Sequence, residues 1–238
     1  MSMMHRLLMS LVLAVCAVTG TAAEVSPTVP LERTDGLGKD QLKEINNAIK
    51  KLDGKIDLAF VGDSITRRWT GKENQASWVK YWGSYRAVNM GIGGDATQNV
   101  LWRLQNGQLD GYQARVFVVN IGTNNCWGHQ TVPADVADGV KKILDLIQSK
   151  QPQAKILLLS IFPVGAKPNA GRKTREAINE LTSKFVGGPI HYMDIAAKFL
   201  EPDGTISKDV MPDELHLAPK GYEIWSEAIK DKVKELLK

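Results

Sequence analysis

The sequence predicts an α/β protein, a three-layer α/β/α sandwich around a mostly five-stranded parallel sheet. Three observations carry that expectation. Short apolar runs recur at 56–61, 87–90, 116–121 and 156–161, with a weaker fifth at 190–193. Helical patterns separate them, and strand alternating with helix over short connections is what a doubly wound sheet requires. The third and fourth runs are apolar at nearly every position, as strands covered on both faces are.

The elements follow in order. Within residues 1–23, His5 and Arg6 precede an apolar run at 7–18, and Thr21-Ala22-Ala23 precedes Glu24. A positive start, a short apolar stretch and small residues match a secretory signal that is too short to span a bilayer, with cleavage expected after Ala23. The expected location is therefore secreted or periplasmic. Leu13-Ala14-Val15-Cys16 resembles a lipidation box, so anchoring through Cys16 is the alternative, although Val15 is bulky for such a site. Residues 24–38 carry Pro27, Pro30, Gly36 and Gly38 without periodicity and read as an extended lead-in. Residues 39–238 read as one folded domain, for which the length is ample. From Asp40, taken as an N-cap, the spacing of Leu42, Ile45, Ile49 and Leu52 predicts an amphipathic helix. Further helices are expected near 96–105, 134–149, 171–185 and 219–237, the last with Pro219 at its start and Tyr222, Trp225, Ile229 and Val233 on one face.

Composition excludes some functions. The chain has 238 residues, 43% hydrophobic and 24% charged, which is ordinary for a globular protein. Its net charge of +4 is spread along the sequence, so nucleic-acid binding is not indicated. No transmembrane segment is expected. With Cys16 in the leader, Cys126 stands alone and no internal disulfide is expected; a small buried filler is the preferred reading over a nucleophile. The sequence does not set the oligomeric state, and a homodimer stays open.

Chemistry gathers where the predicted strands end. Ser64 follows the first, Gly91-Ile92-Gly93-Gly94-Asp95 the second, and Gly122-Thr123-Asn124-Asn125 the third. In a parallel sheet these turns open onto one edge, where ligands bind. Asp213 and His216 precede the last helix and can return to that edge on a loop. A serine hydroxyl needs an imidazole to take its proton, and the imidazole needs a carboxylate to hold its tautomer. Acyl transfer also builds charge on the carbonyl oxygen, where each preorganised donor contributes about 3–4 kcal/mol. A glycine backbone N–H, an asparagine amide and the serine's own N–H are such donors.

Gly62-Asp63-Ser64, Gly94, Gly122-Thr123-Asn124 and Asp213-x-x-His216 resemble, in order, the four signature blocks of the SGNH (GDSL-type) esterase/lipase superfamily, across about residues 57–237. Gly91-Ile92-Gly93-Gly94-Asp95-Ala96-Thr97-Gln98-Asn99-Val100-Leu101-Trp102-Arg103-Leu104, with 119–125 and Asp203-Gly204-Thr205-Ile206-Ser207, is similar to the branch holding the small catalytic subunits of intracellular platelet-activating-factor acetylhydrolase. The resemblance implies a flavodoxin-like sandwich and a serine esterase without cofactor. It makes Ser64 the nucleophile, His216 the base and Asp213 its orienting acid, with Ser64 N–H, Gly94 N–H and Asn124 Nδ2 forming the oxyanion hole. Many superfamily members carry Asp where this chain has Asn125; the acetylhydrolase branch shares the Asn. The resemblance favours short acyl groups, acetyl foremost. The signal-like leader is foreign to those intracellular subunits, so O-acetylated carbohydrate is the expected substrate. A lysophospholipase or phospholipid acetylhydrolase is the alternative.

Rival readings fit the sequence less well. Gly91-x-Gly93-x-x-Ala96 fits the dinucleotide fingerprint, but no acidic residue ends a strand about 20 positions later. Metal catalysis lacks both a His-Glu-x-x-His motif and a Cys/His cluster. A catalytically silent binding protein is opposed by the intact serine, aspartate and histidine. Trp69, Trp82 and Trp127 fall in or near strand-end loops, with partial burial preferred over sugar stacking, while Trp102 and Trp225 fall on helical stripes and read as core. Asp63 is expected to bind backbone around the serine turn. Asp95, Thr97 and Arg103 read as helix-start and helix-face residues, and His129 as a loop-surface residue.

Overall fold

Every residue of the first strand, β1 (Lys55–Gly62), is buried except Lys55, and this demands a covering layer on each side. A computed structural model, which describes residues 25–127 and 131–238, supplies both layers. β1 pairs in parallel with β2 (Ala87–Gly91) and β3 (Gln113–Asn120). β3 pairs with β4 (Lys155–Leu159), and β4 with β5 (Ile190–Met193), giving the order β2-β1-β3-β4-β5. The five expected parallel strands are present. The signal-like leader and His129 lie outside the described residues.

The helices are α1 (Gly36–Lys50), α2 (Ser64–Arg67), α3 (Gln75–Trp82), α4 (Thr97–Arg103), α5 (Pro133–Lys150), α6 (Ala170–Thr182) and α7 (Pro219–Leu236). Side chains of a strand alternate between faces. Ala59, Val61, Phe117 and Val119 therefore meet Ile45 of α1, Val100 of α4 and Val140, Ile143 and Ile147 of α5. On the opposite face, Leu58, Phe60, Val116 and Val118 meet Trp82 of α3 and Tyr222, Trp225, Ile229 and Val233 of α7.

Several expectations need correction. The first helix begins at Gly36, because Asp35 and not Asp40 caps it: its carboxylate accepts the Gly38 N–H at 2.8 Å. The lead-in before it is stitched down. Leu31 N–H donates to Gln98 O at 3.0 Å, and Thr97 Oγ1 to Pro27 O at 2.8 Å. The stretch between β1 and β2 reads as loop in the sequence but holds α2, a 3₁₀ turn at Arg68–Thr70 and α3. Trp69 and Trp82 are accordingly fully buried, Trp69 lying 4.2 Å from Trp225 between ring centroids and donating its indole N–H to Ser77 Oγ at 2.9 Å. Trp225 is core as expected, whereas Trp102 is only half-buried.

The chain leaves β1 for β2 on one side, then crosses back to start β3 on the other. That reversal opens a crevice beyond the carboxyl ends of β1 and β3. A separate cavity of about 510 Å³, bordered by Tyr112, Gln151, Lys155 and Leu236, lies at the amino edge.

Candidate active site

Ser64 comes directly off β1. Asp63 takes the cap position, its Oδ1 accepting the Ile65 N–H at 2.9 Å, and Ser64 opens α2. As the first helical residue, Ser64 finds no acceptor for its N–H inside its own helix. The four-residue helix is held from outside, where Tyr222 Oη donates to Ile65 O at 2.7 Å. Gly91 lets this turn press onto β2, since a Cβ there would lie 2.4 Å from Arg67 N and 2.8 Å from Asp63 O.

His216 arrives from the far end of the chain. Asp213 Oδ1 accepts the backbone N–H groups of Leu215 at 3.2 Å and His216 at 2.7 Å, so the carboxylate shapes the turn that carries the imidazole. Its Oδ2 lies 2.7 Å from His216 Nδ1, and His216 Nε2 lies 3.0 Å from Ser64 Oγ. Burial pushes the Asp213 carboxyl up, but the backbone donors and the imidazole outweigh it and hold it below its ordinary value. An ionised carboxylate accepts a hydrogen bond from Nδ1–H, which keeps the proton on Nδ1 and leaves Nε2 as an acceptor facing the serine hydroxyl.

The other predicted site residues lie on neighbouring strand ends. Gly94 has φ +80°, a conformation that costs glycine nothing, and no acceptor takes its N–H among the described residues. Asn124 occupies a 3₁₀ turn, Thr123–Cys126, just past β3. Its Nδ2 donates to Asp95 O at 2.8 Å, which ties it to the Gly94 loop; the second amide proton has no acceptor among the described residues. The structure thus joins Ser64, His216 and Asp213 in one chain of contacts and sets Gly94 and Asn124 at the strand ends on either side of β1.

The sequence reading missed the residues that hold these loops. Asp95 stands just ahead of α4, at the helix start, but its carboxylate has a larger role. It is wholly buried, pairing with Arg103 Nε at 2.8 Å and Arg33 Nη1 at 3.2 Å. Burial pushes its carboxyl up despite the two guanidinium groups. Arg33 also donates to Gly93 O at 2.8 Å, so the lead-in grips the glycine loop directly. Asn125 accepts the Thr97 N–H at 3.0 Å and donates to Gln98 Oε1 at 2.9 Å, a double role that an aspartate could not fill. Arg175 of α6 is buried and donates to Thr123 O at 3.1 Å. Cys126 is a buried filler: it donates to Gly122 O, and burial pushes its thiol up.

A cavity of about 530 Å³ adjoins His216, bordered by Arg68, Lys72, Glu73, Asn74, Pro212 and Leu217. Among the described residues, no three His, Cys, Asp or Glu side chains cluster as a metal ligand set, and no helix is long and apolar enough to cross a membrane.

Comparison with known proteins agrees with this architecture. Residues 60–224 match the model of the GDSL-like lipase/acylhydrolase family. The chain is 37% identical over 213 residues to the platelet-activating factor acetylhydrolase IB subunit alpha2 of Rattus norvegicus, covering 88% of this chain and 90% of the relative. A GDSL-like lipase from Bacteroides thetaiotaomicron superposes with TM-score 0.62 at 17% identity, covering 82% of this chain and 98% of its own. Est24, a carbohydrate acetylesterase from Sinorhizobium meliloti, superposes with TM-score 0.58 at 18% identity, covering 76% and 99%. Family model, curated relative and fold lead to one placement: the chain belongs to the GDSL-like lipase/acylhydrolase family and is a carboxylic ester hydrolase.

Proposed function

We propose that this hydrolase removes short acyl groups, acetyl foremost, from O-acetylated carbohydrate through an acyl-enzyme on Ser64. The carrying observation is the contact chain Ser64 Oγ to His216 Nε2 at 3.0 Å and His216 Nδ1 to Asp213 Oδ2 at 2.7 Å. In the proposed cycle Ser64 Oγ attacks the ester carbonyl carbon while its proton passes to His216 Nε2. The tetrahedral intermediate then expels the alcohol, which receives that proton as the acyl carbon–oxygen bond breaks. Water repeats the sequence on the acyl-serine and frees the acid. Asp213 stays ionised and steadies the imidazolium. The N–H groups of Ser64 and Gly94 and the free Asn124 amide proton are the donors for the oxyanion.

Two features support a polar alcohol half. The cavity beside His216 mixes Arg68, Lys72, Glu73 and Asn74 with Pro212, Leu217, Ala218 and Pro219, whereas a lipid substrate calls for a continuous apolar trough. The signal-like leader supports export to a secreted or periplasmic location. A phospholipid acetylhydrolase is the second reading, favoured by the 37% identity to the acetylhydrolase subunit.

Hydrolysis of p-nitrophenyl esters from acetate to palmitate, alongside acetylated xylan and lysophosphatidylcholine, tests the proposal. Acetate release from the xylan with rates falling steeply beyond short chains is expected. Preference for palmitate or for the lysolipid would overturn it.

A further inference from the structure

Three tryptophans lie near strand ends in the sequence, and the fold treats one of them differently. Trp69 and Trp82 are sealed in the core, whereas Trp127 is 58% exposed. A lone exposed aromatic needs no explanation, but this one is held in place beside the candidate site. Its Nε1 donates to Asn124 Oδ1 at 3.3 Å, on the same amide whose nitrogen is the proposed oxyanion donor. Behind the ring, the Arg175 guanidinium carbon lies 5.1 Å from the indole centroid. Arg175 is only 1% exposed and is locked in turn by Gly171 O at 3.0 Å, Thr123 Oγ1 at 3.3 Å and Thr123 O. An indole anchored at its polar edge and backed on one face has lost its rotamer freedom before any ligand arrives, so little ordering is left for binding to impose.

We infer that Trp127 is a stacking platform for a sugar ring of the ester substrate. The inference rests on the carbohydrate reading above and assigns it a residue. A flat apolar face with one polar edge suits the C–H face of a pyranose. The main competitor for an aromatic face is a quaternary ammonium, such as a choline headgroup. Here a buried cation already occupies one side of the ring, and its hydrogen bonds go to Thr123 and Gly171 oxygens rather than to a carboxylate. A second cation on the open side would meet that charge across the ring, whereas a neutral sugar would not.

The test compares the full-length wild type with Trp127→Ala and Trp127→Phe on an acetylated xylo-oligosaccharide and on ethyl acetate, which has no ring to stack. Trp127→Ala is expected to raise KM for the oligosaccharide about tenfold and to leave KM for ethyl acetate within about twofold. Trp127→Phe keeps a ring but loses the N–H to Asn124, so it should hold KM for the oligosaccharide within about threefold. An unchanged KM in Trp127→Ala, or an equal change on both esters, overturns the platform. Equal losses of kcat in both variants on both esters would make Trp127 a support for Asn124 instead. Wild type that cleaves ethyl acetate but not the oligosaccharide would defeat the carbohydrate reading itself.

Discussion

Replacing Asp63 by Asn should stabilise the protein at neutral pH and leave it unchanged in acid. Asp63 is wholly buried beneath the serine turn; one oxygen accepts the Ile65 N–H, and the other, Oδ2, has no hydrogen-bond partner. Burial is the main cause that pushes its carboxyl from 3.8 up to about 7, with the Asp95 carboxylate adding to it and the Ile65 N–H and Arg175 opposing it. The unfolded chain binds no proton at this site above about pH 4, while the folded chain keeps one until about pH 7. Stability from this group is therefore complete below the unfolded value and is lost as pH rises toward 7. At about 1.36 kcal/mol per pH unit, the loss approaches about 4 kcal/mol. Asn mimics the protonated acid and does not titrate. Guanidinium unfolding of both proteins from pH 4 to 8 should give curves that coincide at pH 4 and separate toward pH 8 with Asp63→Asn the more stable. A difference that stays flat across that range would refute the reasoning.

Three further outcomes are expected. Ser64→Ala should lose at least roughly 10³-fold in kcat with an unchanged melting temperature, and a variant that kept most of its rate would remove Ser64 from the chemistry. Asn124→Ala should lower kcat by roughly 10²–10³-fold with little change in KM, as loss of an oxyanion donor does; a pure KM effect would make Asn124 a binding residue. Arg103→Met strands the buried Asp95 carboxylate with only Arg33 beside it and should cost about 3–5 kcal/mol in chemical denaturation, while a cost below about 1 kcal/mol would mean that Arg33 alone neutralises the site.

Legibility followed the range of the interaction. The strands were legible because both faces of each are buried, which writes nearly continuous apolar runs into the sequence. Ser64, Asp213 and His216 were legible because each sits beside a strand end or a helix start with a motif attached. Arg33, Arg103 and Arg175 were not. A lone arginine in a lead-in or on a helix looks solvent-facing, and nothing local says that it will reach across to Asp95 or Thr123. The cap of α1 is hidden for the same reason: Asp40 is the expected cap, and Asp35 holds the position. Either could cap a helix by type, and the choice depends on where the lead-in is pinned by Gln98 and Thr97. The α2–α3 stretch was hidden because Trp69 and Trp82 bury themselves against Phe60, Trp78 and Trp225 rather than along a single helical stripe.

The same division explains how one part of the site can be prebuilt. Asp213 and His216 are three residues apart, and the Asp213 carboxylate caps the turn that presents His216 to it, so most of that pair's order is local. Between them Glu214 adopts φ +63°, an unfavourable conformation for a residue with a Cβ, and must be held there. It is held from outside: Gly165 N–H donates to Glu214 O at 2.8 Å, and Ala166 N–H to its carboxylate at 3.1 Å. The turn is therefore fixed to the segment that follows β4, while the adjoining α7 is fixed to α2 through the Tyr222–Ile65 bond. The 3.0 Å approach of imidazole to serine thus rests on Asp213 at short range and on these two outside docks at long range.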